Sequence, residues 1–232
     1  MNMKKIISFF IVACCAMCAT AAKVVWQIGV ADNSGTELAL GPSEYKKFLA
    51  HDFGYEDRYF LVGTSVDKND FPYVLPGPDD TWGGTWSTSG WRTHDANILF
   101  GIKKLPKHGK WKLVVDLVDA NPSRSVVKVM VNSAEKKFEI KGHSKGVLEG
   151  NLQDAKEQIL EFPISANDLK KGGNMVTVSV LEGGWIVFDQ IRLEGADELV
   201  LEKNNEYAFL RNVAPAEYEM EMDGAKIQPL LV

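Results

Sequence analysis

Residues 109–131 read Gly109-Lys110-Trp111-Lys112-Leu113-Val114-Val115-Asp116-Leu117-Val118-Asp119, then Ala120-Asn121-Pro122-Ser123-Arg124, then Ser125-Val126-Val127-Lys128-Val129-Met130-Val131. In the first run polar and apolar residues partly alternate, as on a half-buried strand. Asn121-Pro122-Ser123 carries turn chemistry: asparagine and serine bond their own backbone, and proline cannot enter a following central strand. The third run is again β-branched, and Asn132-Ser133 closes it. Two strands joined by a short turn set the pattern for the rest of the chain.

Working outward, the same pattern predicts strands at 24–29, 59–62, 96–103, 137–140, 159–164, 175–181 and 185–194. Gly183-Gly184 reads as a turn between the last two. Asp168 to Asn174 reads as a short helical turn with a glycine stop, and Gly142 to Lys156 as a glycine-rich, polar loop. Lys68 to Thr93, with Pro72, Pro76, Gly77, Pro78, Gly83, Gly84 and Gly90, reads as a longer loop. No stretch sustains a helical period. Short strands at regular spacing with two long loops predict an all-β fold, a jelly-roll β-sandwich.

The chain has 232 residues and a formal net charge of −5, which excludes the basic surface of a nucleic-acid reader. At the N-terminus, Met1 to Lys5 supply a positive region, Ile6 to Cys18 an apolar stretch, and Ala19-Thr20-Ala21 a small-x-small cleavage form. The apolar run is short for a membrane span, which needs about 20 residues. It reads as a signal peptide, predicting export to the periplasm, cell surface or medium, with no transmembrane segment. Ile11-Val12-Ala13-Cys14 also resembles a lipobox, which would make the product a lipoprotein anchored through Cys14. Cys14, Cys15 and Cys18 all lie in this leader, so the mature domain carries no disulfide. The expected division is a signal peptide at 1–22, a β-sandwich at 23–195, and at 196–232 a linker with the start of an incomplete second β domain. The apolar ending Pro229-Leu230-Leu231-Val232 suggests the front part of a longer protein.

The loop from Tyr73 to His94 is the main candidate site. Flat C–H faces of sugars pack on aromatic rings, while their hydroxyls need fixed polar partners. Tyr73, Trp82, Trp86, Trp91, Arg92 and His94 supply both within one segment. The bland alternative is that these aromatics pin a long loop to the sandwich. Trp26, Trp111 and Trp185 lie in strand-like runs and are assigned to the core. Arg92, His94 and Asp95 suggest an acid–base cluster, but neighbours on a strand point to opposite faces. There is no nucleophile elbow, zinc-protease motif, phosphate loop or dinucleotide fingerprint.

Four segments together resemble the carbohydrate-binding-like domain III of family-4 rhamnogalacturonan lyases, a galactose-binding-like jelly roll. They are Trp26-Gln27-Ile28-Gly29 with Asp32 and Ser34; Ile98-Leu99-Phe100 with Lys110-Trp111-Lys112-Leu113; Val129-Met130-Val131-Asn132; and Leu169-Lys170-Lys171-Gly172-Gly173-Asn174 leading to Trp185-Ile186-Val187-Phe188-Asp189-Gln190-Ile191-Arg192-Leu193. The resemblance runs from about Trp26 to Gly195. It implies a fold and a sugar-binding tendency, hence a non-catalytic, polysaccharide-binding module of a pectin-directed degrading protein; the unfinished C-terminal segment adds the expectation of a catalytic domain downstream. It transfers no activity, because the family keeps its catalytic lysine and histidine in a separate N-terminal domain that is absent here. The alternative is a structural support for a lyase or glycoside hydrolase domain. Modules of this kind often carry calcium, for which Asp32 and Asp189 are the candidate ligands; Asp32 serves equally as a turn former.

Overall fold

The computed structural model describes residues 22–51, 53, 59–84, 93–203, 214–216 and 218–231. Two sheets face each other across one core. The first runs β1 (Lys23–Gly29), β10 (Ile186–Gly195), β5 (Lys110–Ala120), β8 (Gln158–Ser165), with β3 (Val74–Leu75) paired to the start of β10. The second runs β11 (Val200–Glu202), β4 (Asp95–Lys104), β9 (Gly172–Glu182), β6 (Arg124–Val131), β7 (Ala134–Lys141), with β2 (Tyr59–Leu61) parallel to β4. The fold is the all-β sandwich the strand pattern predicts.

The alternation that marks the strands in sequence explains the core. Leu113, Val115 and Leu117 of β5 face inward, as do Ile98, Phe100 and Ile102 of β4 and Val176, Val178 and Val180 of β9. Trp26, Trp111 and Trp185 are all buried, as their strand contexts predict. Trp26 packs on Phe100 at 5.4 Å between ring centroids.

Antiparallel pairing sorts the turns to two ends. One end, called closed here, gathers the short β6–β7 turn and the β8–β9 connection at 166–171. The other, called open, gathers the β5–β6 turn at 121–123, the β7–β8 loop at 142–157, the β9–β10 turn at 183–185 and the segment entering β4.

Three expectations are revised. The linker expected from Ala196 to Glu206 contains β11, which pairs with β4, and Leu199 and Leu201 pack against the core. The 68–93 stretch is not simply loop: α1 (Asp67–Asp70), β3 and a 3-10 turn (Thr81–Gly83) lie in or beside it. The helical turn expected at 168–174 is a non-helical turn from which β9 starts at Gly172. Beyond the sandwich, β12 (Ala214–Pro215) pairs with β15 (Leu230–Leu231), and β13 (Met220–Met222) with β14 (Ala225–Ile227). The segment expected to be a signal peptide, with Cys14, lies outside the described residues, as does the strand-like run 207–210. Among the described residues no helix is long and apolar enough to cross a membrane.

Candidate functional site

The open end holds a cleft of about 580 Å³ lined by Tyr45, Asp79, Asp80, Asn121, Lys145, Gly146, Leu148, Glu149 and Trp185. That volume lies within the range of roughly 300–1,000 Å³ usual for small-ligand sites. Its apolar floor is Tyr45, Leu148 and Trp185, each largely buried. Its rim is polar, with Asp79, Lys145 and Glu149 exposed and Asn121 half-buried.

Each wall is fixed by backbone groups that the loops leave unpaired. Asp119, fully buried at the end of β5, accepts from the backbone N–H of Ala120 at 2.8 Å, His143 at 2.9 Å and Ser144 at 3.0 Å. The Ser144 hydroxyl then caps the 3-10 turn Lys145–Glu149 by accepting from Gly146 N–H at 3.2 Å. Lys145, Gly146, Leu148 and Glu149 are thereby held over the floor. The Tyr45 hydroxyl crosses to donate to Glu149 Oε1 at 3.2 Å.

Opposite, Gly77 lies so close to the β9–β10 turn that an added Cβ would meet the Gly183 carbonyl at 2.3 Å, a contact only glycine permits. Asp80 then turns inward and accepts from Gly77 N–H at 2.8 Å. It also accepts from the Trp82 side chain and the Trp185 backbone. Burial pushes its carboxyl up from 3.8 to about 6, against the downward pull of those donors. Asp80 is a clasp joining the 77–82 segment to the β9–β10 turn, and it leaves Asp79 free at the rim.

The residues singled out from sequence separate sharply. Trp82 is half-buried behind the cleft, packed edge-on against Tyr45 at 4.9 Å and Phe48 at 6.2 Å between centroids. It buttresses the floor without lining the cleft. Tyr73 is fully buried, so it has no surface to offer a ligand; its hydroxyl donates to the Val147 carbonyl at 3.1 Å. His94 is buried against Phe48, and its Nε2 contacts the Gly83 carbonyl, holding the turn that carries Trp82. Trp86, Trp91 and Arg92 lie outside the described residues. Tyr45 and the 145–149 wall escaped the sequence reading, since only long-range pairing brings them to residues 79–80. Trp185, assigned to the core, is both core and cleft floor.

Asp32 and Asp189 do come together, but through the turn between them. Asp189 accepts from Ser34 N–H at 3.0 Å and from the backbone of Asn33 and Asp32, while Asp32 Oδ1 also accepts from Ser34 N–H at 2.9 Å. Burial pushes the Asp189 carboxyl up, and these donors pull it back. One buried oxygen, Asp189 Oδ2, has no partner. Calcium requires six to eight oxygens. Here a backbone N–H already occupies one oxygen of each carboxylate, and among the described residues no group of three acidic, histidine or cysteine side chains gathers. Two carboxylates alone fall short of a calcium shell; what the pair does is tie the turn after β1 to β10.

Comparison with known proteins bears on the whole sandwich. Residues 24–193 match the family described as CBM-like, polysaccharide lyase family 4, domain III. A rhamnogalacturonate lyase of Dickeya dadantii (strain 3937) is 24% identical over 74% of this chain and 28% of its own length. The chain thus corresponds to little more than a quarter of that relative. Among solved structures, a family-35 carbohydrate-binding module from an environmental isolate is 12% identical, covering 80% of this chain and 95% of that one at a TM-score of 0.32. Another such module, from Cellvibrio japonicus, is 13% identical over 49% of this chain and 70% of that one, at a TM-score of 0.31.

Proposed function

The chain belongs to the CBM-like domain III of polysaccharide lyase family 4, and on that premise we propose that the open-end cleft holds a segment of polysaccharide. The observation that carries this reading is the lining itself. An aromatic and apolar floor lies beneath side chains with unused hydrogen-bonding capacity: Asp79, Asn121, Lys145 and Glu149. Sugars present apolar C–H faces and directional hydroxyls, and this lining supplies a counterpart for each. The role is tethering: an exported module that binds glycan raises the local concentration of a catalytic domain on the same polypeptide. Affinity for one short oligosaccharide should be modest, because small ligands supply limited energy per atom.

The test is titration of the chain against pectic and other plant glycans, followed by heat and tryptophan fluorescence. Binding is expected, and Asn121→Ala is expected to weaken it by about tenfold, equivalent to one lost directional contact of roughly 1.4 kcal/mol. Binding that ignores Asn121→Ala would move the site elsewhere. An absence of binding to every glycan would leave the domain as a structural support.

A further inference from the structure

The cleft's charge bears on which sugar it takes, and this inference rests on the carbohydrate reading above. Among the described residues three carboxylates, Asp79, Asp80 and Glu149, line it beside one ammonium group, Lys145. Asp79 and Lys145 are exposed and have no side-chain partner among the described residues. Glu149 accepts a hydrogen bond from the Tyr45 hydroxyl through Oε1, leaving Oε2 open. The rim is thus rich in acceptors and carries an excess of negative charge, on a chain whose formal net charge is −5.

We infer that the cleft selects an uncharged glycosyl unit, a neutral hexose or pentose, and discriminates against a uronate. The hydroxyls of a neutral sugar are donors, and ionised carboxylates are the strongest acceptors that a side chain offers them. Asn121 adds an amide that both donates and accepts, and Lys145 donates to ring or hydroxyl oxygens. A uronate carboxylate brings only acceptors to a wall of acceptors. It must shed water beside like charges, which makes its placement unfavourable. Among the described lining residues Lys145 is its single cationic partner, and an exposed ammonium on a long, flexible stem offers little net attraction. In a polymer that mixes uronate and neutral sugars, the module would settle on neutral units.

The experiment uses the full chain and three probes: β-1,4-galactotetraose, arabinotetraose and tetragalacturonate, titrated calorimetrically at pH 7.5. At least one neutral probe is expected to bind about tenfold or more tightly than tetragalacturonate, the scale of one strong contact. Raising the salt should narrow the gap by screening the repulsion, and this arm needs no variant. The double variant Asp79→Asn with Glu149→Gln, exposed and near-isosteric, should narrow it as well. Tetragalacturonate binding as tightly as both neutral probes overturns the inference and leaves carbohydrate binding intact. A gap unmoved by both salt and the double variant also overturns it, because selection would then not come from these charges. Silence from all three probes, repeated across the wider glycan panel, defeats the carbohydrate reading itself.

Discussion

The closed and open ends of the sandwich use the same device, a buried polar side chain gripping backbone, to opposite effect. At the closed end, Asn174 is buried; its side-chain amide donates to the Lys170 carbonyl at 2.8 Å and the Gly172 carbonyl at 2.9 Å, while its Oδ1 accepts from Lys170 N–H at 2.9 Å. Asn132, at a positive φ of 54°, joins it by donating to Asn174 Oδ1 at 2.9 Å and to the Asp168 carbonyl at 2.8 Å. Asn132 Oδ1 accepts from Met175 N–H at 3.1 Å. Every reach in this clamp is spent on tightening two turns. At the open end, Asp119 and Asp80 grip backbone in the same way, yet their effect is to hold loops apart around a space. A saturated network makes a lid on the fold, and one that stops short of the rim leaves groups for a ligand.

The sharpest way to break this contrast is Asn174→Ala. It strands the Lys170 N–H and the Lys170 and Gly172 carbonyls in a part-buried turn, each worth up to roughly 1–3 kcal/mol if left unpaired, with partial relief from water. A destabilisation of about 3 kcal/mol is expected from the urea midpoint, with glycan affinity of the remaining folded protein unchanged. A loss of affinity at equal folded fraction would show that the closed end also shapes the site. Asp119→Ala is its open-end counterpart. About 2 kcal/mol is expected to be lost, since three N–H donors lose their acceptor but two of them lie in a partly buried loop near water. Here affinity should fall together with stability, because the 145–149 wall hangs from this carboxylate. Stability lost without affinity would detach that wall from binding.

The contrast also explains what could be read in advance. The V-x-V-N and L-x-x-G-x-N segments are legible because the clamp's members must be those residues: asparagine supplies donor and acceptor on one short side chain and tolerates a left-handed backbone. The strands were legible for a similar reason, since burial on one face imposes a period of two. The cleft was not. Its aromatic loop drew attention to residues 73–94, of which Tyr73 and His94 are buried supports. The facing wall lay in a stretch, Gly142 to Lys156, whose glycines and charges look like any solvated loop. Lys145 and Glu149 acquire meaning only from Asp119, more than twenty positions earlier, whose grip no local pattern announces.

The smallest expected effect tests whether the two cleft walls are mechanically joined. Tyr73 belongs to the 68–84 segment, and its hydroxyl donates to the carbonyl of Val147 in the opposite wall. Burial pushes its phenol up, so it stays protonated and a donor at any working pH. Tyr73→Phe removes that one atom and keeps the ring that fills the interior. The Val147 carbonyl is not orphaned, because Gly150 N–H also donates to it at 3.1 Å. The cost should therefore fall at the low end for a buried hydrogen bond, about 0.5–1 kcal/mol. If the walls move as one body, amide exchange within 145–150 should quicken by no more than the same factor as exchange in β3. If exchange quickens at 145–150 alone, the wall opens independently of the floor, and the cleft is a hinged site whose ligand must close it.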